Sequence, residues 1–214
     1  MDEEITIIDN NTRNEQIINF FKRNKKSLII LSSILIIILI SFFTFGEVKK
    51  QKKIKLADQF NLALIQFDLG NKIQVKSELI KIINKKDKTY SPLSLYFLID
   101  NNLIQNKKEL NNMFDLLIDK TSLDPEIQKL LIYKKALYNS NFLSENQLIK
   151  LLNPIINSES IWKSHALYLL AEYFYKNNEK EKAKEFFNQI IILSKANSDI
   201  KIQSQKRLNR DIGE

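Results

Sequence analysis

The sequence predicts an all-α protein, with one membrane-crossing helix near the N-terminus and a domain of paired helices behind it. Three observations carry this expectation. An uncharged, mostly apolar run extends from Leu28 to Phe45, and beyond Lys55 apolar residues recur at spacings of three and four rather than two. Glycine and proline are scarce, three of each in 214 residues, so little interrupts the helical pattern.

The first 26 residues form a charged N-terminal segment. Met1 to Asn10 reads as a disordered tail. In "DNNTRNEQIINFFKRNKK", Ile17, Ile18, Phe20 and Phe21 precede Lys22, Arg23, Lys25 and Lys26, the pattern of a short amphipathic helix lying at a membrane interface. Residues 27–46 then form the anchor. Its 18 residues from Leu28 to Phe45 carry no charge, and as a helix they span about 27 Å, enough to cross a hydrocarbon core. Only Ser32, Ser33, Ser41 and Thr44 interrupt the apolar surface, so the run has no polar face to turn towards water. The exit "SFFTFGEVKK" has no A-x-A-like pair of small residues, which predicts an uncleaved signal anchor. A basic juxtamembrane stretch, 47–56, follows. Its Lys49, Lys50, Lys52, Lys53 and Lys55 would meet lipid phosphates, each worth about 1 kcal/mol near an anionic surface.

The remaining residues, 57–212, are long enough for one domain with a core of its own. Cysteine is absent, which excludes disulfides, thiol nucleophiles and cysteine zinc sites. The formal charge is +8, and the first 26 residues hold five of the 33 basic and five of the 25 acidic side chains, leaving 28 against 20 downstream. With the five juxtamembrane lysines assigned to lipid the domain is only mildly basic, and no nucleic-acid partner is expected. Turn signals recur at 68–72, 84–92, 104–108, 119–125, 138–145, 153–160, 175–180 and 195–199. Eight helices of about a dozen residues fit between and around them, with a short capping helix last. Ser91, Asp124 and Ser144 are the expected N-caps, with Pro92 and Pro125 at first helical positions.

A repeat is clearest in "LYLLAEYFYKNNEKEKAKEFFNQII", residues 167–191. Leu167-x2-Leu170-Ala171-x2-Phe174 and then Ala183-x3-Phe187 follow the tetratricopeptide spacing with conservative exchanges. Ala171 and Ala183 are small where two antiparallel helices cross most closely, and Leu170, Phe174 and Phe187 fill the space around the crossing. Asn178 in the intervening turn tolerates the left-handed conformation of a helix end. Earlier units share this phase: Leu62-Ala63 precedes Gly70 as Leu170-Ala171 precedes Asn178, and Val75-x3-Leu79 follows as Ala183-x3-Phe187 does. Gly70 and Asn178 are 108 residues apart, three periods of 36. About four helix pairs and the capping helix account for the domain.

This layout resembles the YfgM-like proteins, ancillary subunits of the SecYEG translocon. The segments that carry the resemblance are "TRNEQIINFFKRNKK" before the anchor, "KLADQFNLALIQFDLGN" at the start of the domain and "WKSHALYLLAEYFYKNNEKEKAKEFFNQII" near its end. It covers nearly the whole chain. It implies a right-handed superhelix of helix pairs, a place in the bacterial inner membrane with a cytoplasmic N-terminus and a periplasmic domain, and as partners translocon subunits, periplasmic chaperones or exported clients. Charge does not decide the orientation, because five basic residues lie within fifteen positions of either end of the anchor. The second and third units depart from the repeat at Asn101, Asn111 and Lys135, near positions that usually hold small or apolar residues.

No nucleophile with a base, metal cluster or phosphate-binding loop stands out, so the expected function is non-enzymatic, without cofactor, metal or small-molecule substrate. The one histidine, His165, falls on the first turn of a helix and is expected to be structural. Tyr168 and Tyr175 lie seven apart, on a face distinct from that of Leu170 and Phe174, with Lys176 and Asn177 beside them. Tyr168, Tyr175 and Asn177 are therefore the candidate partner-binding groove. The expected role is a membrane-anchored interaction module linking exported proteins to chaperones; the alternative is a structural assembly factor of a cell-envelope or division complex.

Overall fold

A computed structural model describes residues 15–212, and every regular element among them is helical. The expected tail, Met1 to Asn10, lies outside these residues. The helices are α1 (15–23), α2 (Lys25–Asp68), α3 (Lys72–Asn84), α4 (Tyr90–Asp100), α5 (Lys107–Lys120), α6 (Pro125–Asn139), α7 (Glu145–Ile156), α8 (Lys163–Lys176), α9 (Lys180–Ile192) and α10 (Ser198–Arg207). A π-helical turn, Leu208–Ile212, ends the described chain. The expected anchor, basic stretch and first domain helix are thus one helical element, α2. The chain divides into two compact units between Lys55 and Leu56, a boundary that falls inside α2.

In the first unit α1 leads into α2 through Asn24. The Asn24 N–H and side-chain amide both donate to the Phe20 carbonyl, at 2.9 and 3.0 Å, and the Leu28 N–H donates to the Asn24 carbonyl at 2.9 Å. The apolar side chains from Ile29 to Phe45 are exposed, and α2 is long and apolar enough to cross a membrane. Two of its hydroxyls turn inward: Ser33 donates to the Ile29 carbonyl and Thr44 to the Ile40 carbonyl, each at 2.9 Å. A serine or threonine satisfied this way leaves no open polar group to meet hydrocarbon.

The second unit begins with the last part of α2 and is built by burying one apolar stripe of each short helix against its neighbours. Two clusters result. The first joins Ala63 of α2 to Val75, Leu79, Ile82 and Ile83 of α3, Leu95 and Leu98 of α4, Leu110, Phe114 and Leu117 of α5, and Leu131 of α6. Phe67 meets Phe97 edge-on at 5.1 Å and Phe60 meets Tyr90 at 5.9 Å, which seats α2 on α4. The second cluster begins one residue later on α6, at Ile132, and gathers Leu148, Leu152 and Ile155 of α7 with the buried faces of α8 and α9. Packing runs between helices adjacent in sequence or next but one.

Local chemistry accounts for the helix ends. Asp124 accepts from the Glu126 N–H at 2.9 Å with Pro125 in the first helical position, and Ser144 forms a capping box with Gln147. Asn178 has φ 63°, the left-handed conformation that closes α8 and lets α9 fold back. Two expectations shift. Ser91 is not an N-cap: Asp87 accepts from the Thr89 and Tyr90 N–H groups at 2.9 and 2.8 Å, so α4 begins at Tyr90. Ser91 is instead buried inside α4, donating to the Ile82 carbonyl at 2.8 Å, and Pro92 occupies the third helical position, where its missing N–H still costs no intrahelical bond. The turn expected at 153–160 starts later, because α7 carries Pro154 in its last turn and ends at Ile156.

Leu167, Leu170, Ala171, Phe174, Ala183 and Phe187 are all buried in one cluster, and α8 packs more closely on α9 than any other pair. Ala171 and Ala183 have no exposed surface, so a larger side chain has nowhere to go. Ala171→Leu should destabilise the chain by about 2 kcal/mol through overpacking, whereas Lys184→Leu on the exposed face of α9 should change stability by less than about 0.5 kcal/mol; denaturant titration of both variants measures the difference.

Candidate functional site

A cavity of about 840 Å³ opens between the α6–α7 turn, α8 and α10. Helix α8 supplies Leu169, Glu172, Tyr173 and Lys176, whose spacings of three and four put them on one face. The turn supplies Ser140 to Ser144, and Arg207 closes the far side. Three hydrogen bonds hold the wall: the Tyr173 hydroxyl donates to the Leu143 carbonyl at 3.0 Å, Lys176 Nζ donates to Asn141 Oδ1 at 2.7 Å, and the Asn177 amide donates to the Tyr173 carbonyl at 3.0 Å. Phe142 stands on the rim, 69% exposed, with Lys107 Nζ 3.2 Å from its ring centroid.

Tyr175 and Asn177 both line this cavity, and Tyr168 does not. Tyr168 turns towards α9, where its ring meets Phe187 edge-on at 5.6 Å. The two tyrosines are separated by an ion-pair network. Arg207 forks onto Glu172, Nε to Oε1 at 2.7 Å and Nη2 to Oε2 at 2.6 Å, pairs with Asp211, and lays its guanidinium 4.3 Å over the Tyr175 ring. A planar fork of this kind fixes both partners' orientation as well as their charge. Arg210 and Arg207 hold the Asp211 carboxyl down, to about 2. Burial pushes the Tyr168 phenol up to about 12, and the neighbouring Glu172 carboxylate adds to the shift.

A second cavity, about 570 Å³, lies among α5, α6 and α7, and the sequence did not point to it as a site. Its signal was the departures from the repeat. Asn111 and Asn139 exchange amide hydrogen bonds at 3.1 and 2.8 Å across α5 and α6, although Asn139 is only 4% exposed. Lys135 pairs with Asp115 beside them. A side chain that breaks the apolar pattern here is therefore matched by one on the facing helix, as a buried polar group requires. Asn101, the third departure, lies elsewhere and bonds its amide back to the Phe97 carbonyl at the end of α4, at 3.0 Å.

His165 sits in the first turn of α8, half-buried against Trp162 at 5.2 Å and Tyr133 at 5.8 Å. Its Nδ1 is buried without a partner, and burial pushes the imidazole below its ordinary pKa, favouring the neutral ring. Among the described residues no three His, Asp or Glu side chains gather as a metal site would need. In comparisons with known proteins, no family model, no curated protein and no solved structure matches this chain.

Tyr168 gives the network a spectroscopic reporter. Its folded pKa lies above that of an exposed tyrosine, so the folded state holds this proton more tightly, and the stabilisation it gives is lost as pH rises from about 10 through about 12. Burial also raises Tyr96 and Tyr133, so absorbance titration at alkaline pH should show several late-ionising phenols, one of which Tyr168→Phe removes and Glu172→Gln shifts downward.

Proposed function

We propose that this chain is a non-enzymatic, membrane-anchored protein-interaction module. In this reading α2 crosses the bacterial inner membrane as an uncleaved anchor with its N-terminus in the cytoplasm, and the second unit is a tetratricopeptide-like right-handed superhelix in the periplasm. It would act beside the Sec translocon, as the resemblance to the YfgM-like proteins implies, and hold exported proteins or periplasmic chaperones near their point of emergence.

The observation that carries this reading is the union of two features on one chain. One is an apolar helix whose exposed side chains need a lipid environment; the other is a stack of short helices that pack on near neighbours and leave open cavities between them. Stacking of this kind is how helical-repeat proteins build binding surfaces. The shared phase of Leu62-Ala63 and Leu170-Ala171 supports the repeat, and the burial of Ala63, Ala171 and Ala183 supports their role as small residues at helix crossings. The cavity beside Tyr175 is lined by turn residues and long side chains, a setting suited to an extended protein segment rather than an enclosed substrate.

Affinity capture of the full chain from a detergent extract should recover translocon subunits or envelope chaperones, and protease added to intact spheroplasts should digest the region after Lys55. Capture of neither partner class contradicts the functional reading, and protection of that region from protease contradicts the orientation.

A further inference from the structure

We infer that the cavity between the α6–α7 turn and α8 takes an acidic protein segment that carries an aromatic or aliphatic side chain. The inference rests on the reading of the chain as an interaction module and names the chemistry of its partner.

The charge around the cavity is unevenly settled. Glu172, the one carboxylate in the lining, is occupied by both arms of the Arg207 fork, and Asp211 is held by Arg207 and Arg210. Two cations have no carboxylate partner among the described residues. Lys176 donates to the neutral Asn141 amide oxygen at 2.7 Å, and Lys107 sits over the Phe142 ring at 3.2 Å. Both contacts can coexist with, or yield to, an incoming carboxylate, which would form an ion pair that neither lysine now has. The neighbouring Lys182 is different, since Glu145 and Glu179 already hold it at 2.9 and 2.7 Å.

The apolar half of the recognition is supplied by Phe142 and Tyr175, which both line the cavity. Phe142 is 69% exposed, where burial by a partner would remove much of its ring from water, and the Tyr175 ring is pinned from behind by Arg207. Two aromatic rings in the lining, with two nearby cations that lack a carboxylate partner, match a segment in which an apolar residue is bracketed by Asp or Glu. A lipid headgroup would satisfy the lysines but not the depth of the cavity or its aromatic wall. Nucleic acid would need a longer track of cations than two.

The test uses the full chain in nanodiscs of neutral phosphatidylcholine and a fluorescent peptide with one Phe flanked by Asp and Glu. Fluorescence anisotropy should show saturable binding that weakens as salt rises. The same peptide with Asn and Gln in place of the acids should bind roughly tenfold more weakly, as should the Lys107→Glu, Lys176→Glu and Phe142→Ala variants towards the acidic peptide, with circular dichroism unchanged. Equal affinity for the acidic and amide peptides, or binding indifferent to the three substitutions, overturns the inference. So does association with vesicles of anionic phosphatidylglycerol without affinity for the peptide. If partners captured from extract are retained by the Lys107→Glu/Lys176→Glu double variant, this inference fails and the interaction-module reading stands; if wild type captures none, it is that reading which fails.

Discussion

The helices of the second unit are too short to stand alone. From α3 to α10 they run from 10 to 15 residues, and isolated helices of that length are marginal in water because the first turn costs more than later turns return. Burial against neighbours is therefore the interaction on which everything else depends. Helix α8 shows it most fully. Half of its 14 residues are buried, and it touches α6, α7, α9 and α10, so its sequence answers to four surfaces at once. Each fully buried Leu or Phe contributes about 1.5–3 kcal/mol, and only such a set can offset the conformational entropy of ordering short segments.

The same constraint places the polar features. Successive residues of α6, Leu131 and Ile132, enter different core clusters, so this helix joins two halves of the unit. Where the apolar seam between them opens, Asn111 with Asn139 and Asp115 with Lys135 close it by pairing across α5 and α6. The α6–α7 turn that follows tucks Leu143 against the second cluster and projects Phe142 into solvent. A site grows there because the turn is fixed at both ends, by Asn139 on one side and the Ser144 capping box on the other, while the Phe142 ring at its middle stays largely exposed.

How much of this was legible follows from how many surfaces each residue serves. Leu170, Ala171, Phe174, Ala183 and Phe187 sit where four helices press on α8, and a spacing motif survives there because few other residues would fit. In the earlier helices α4 packs closely on α3 and only lightly on α5. Ser91 and Ser94 are buried small residues where alanine stands in the later pair, so the motif is unreadable there. The Ser91 cap was misplaced because Asp87 lies at the right distance to accept from two N–H groups and starts the helix earlier. Tyr175 and Tyr168 do share a helix face by spacing. Their separation depends on Arg207 and Phe187, which lie more than ten residues away in sequence and which no local pattern could supply.

Stability in the second unit is local, a chain of neighbour-to-neighbour burials divided at α6. Native-state hydrogen exchange on the full chain carrying Phe187→Ala tests it most directly. Phe187 is fully buried in the second cluster, and its truncation should cost about 3–5 kcal/mol. Amide protection should fall across α7 to α10 while α3, α4 and α5 keep most of theirs. A uniform loss of protection from α3 to α10 would show a single cooperative core and contradict it.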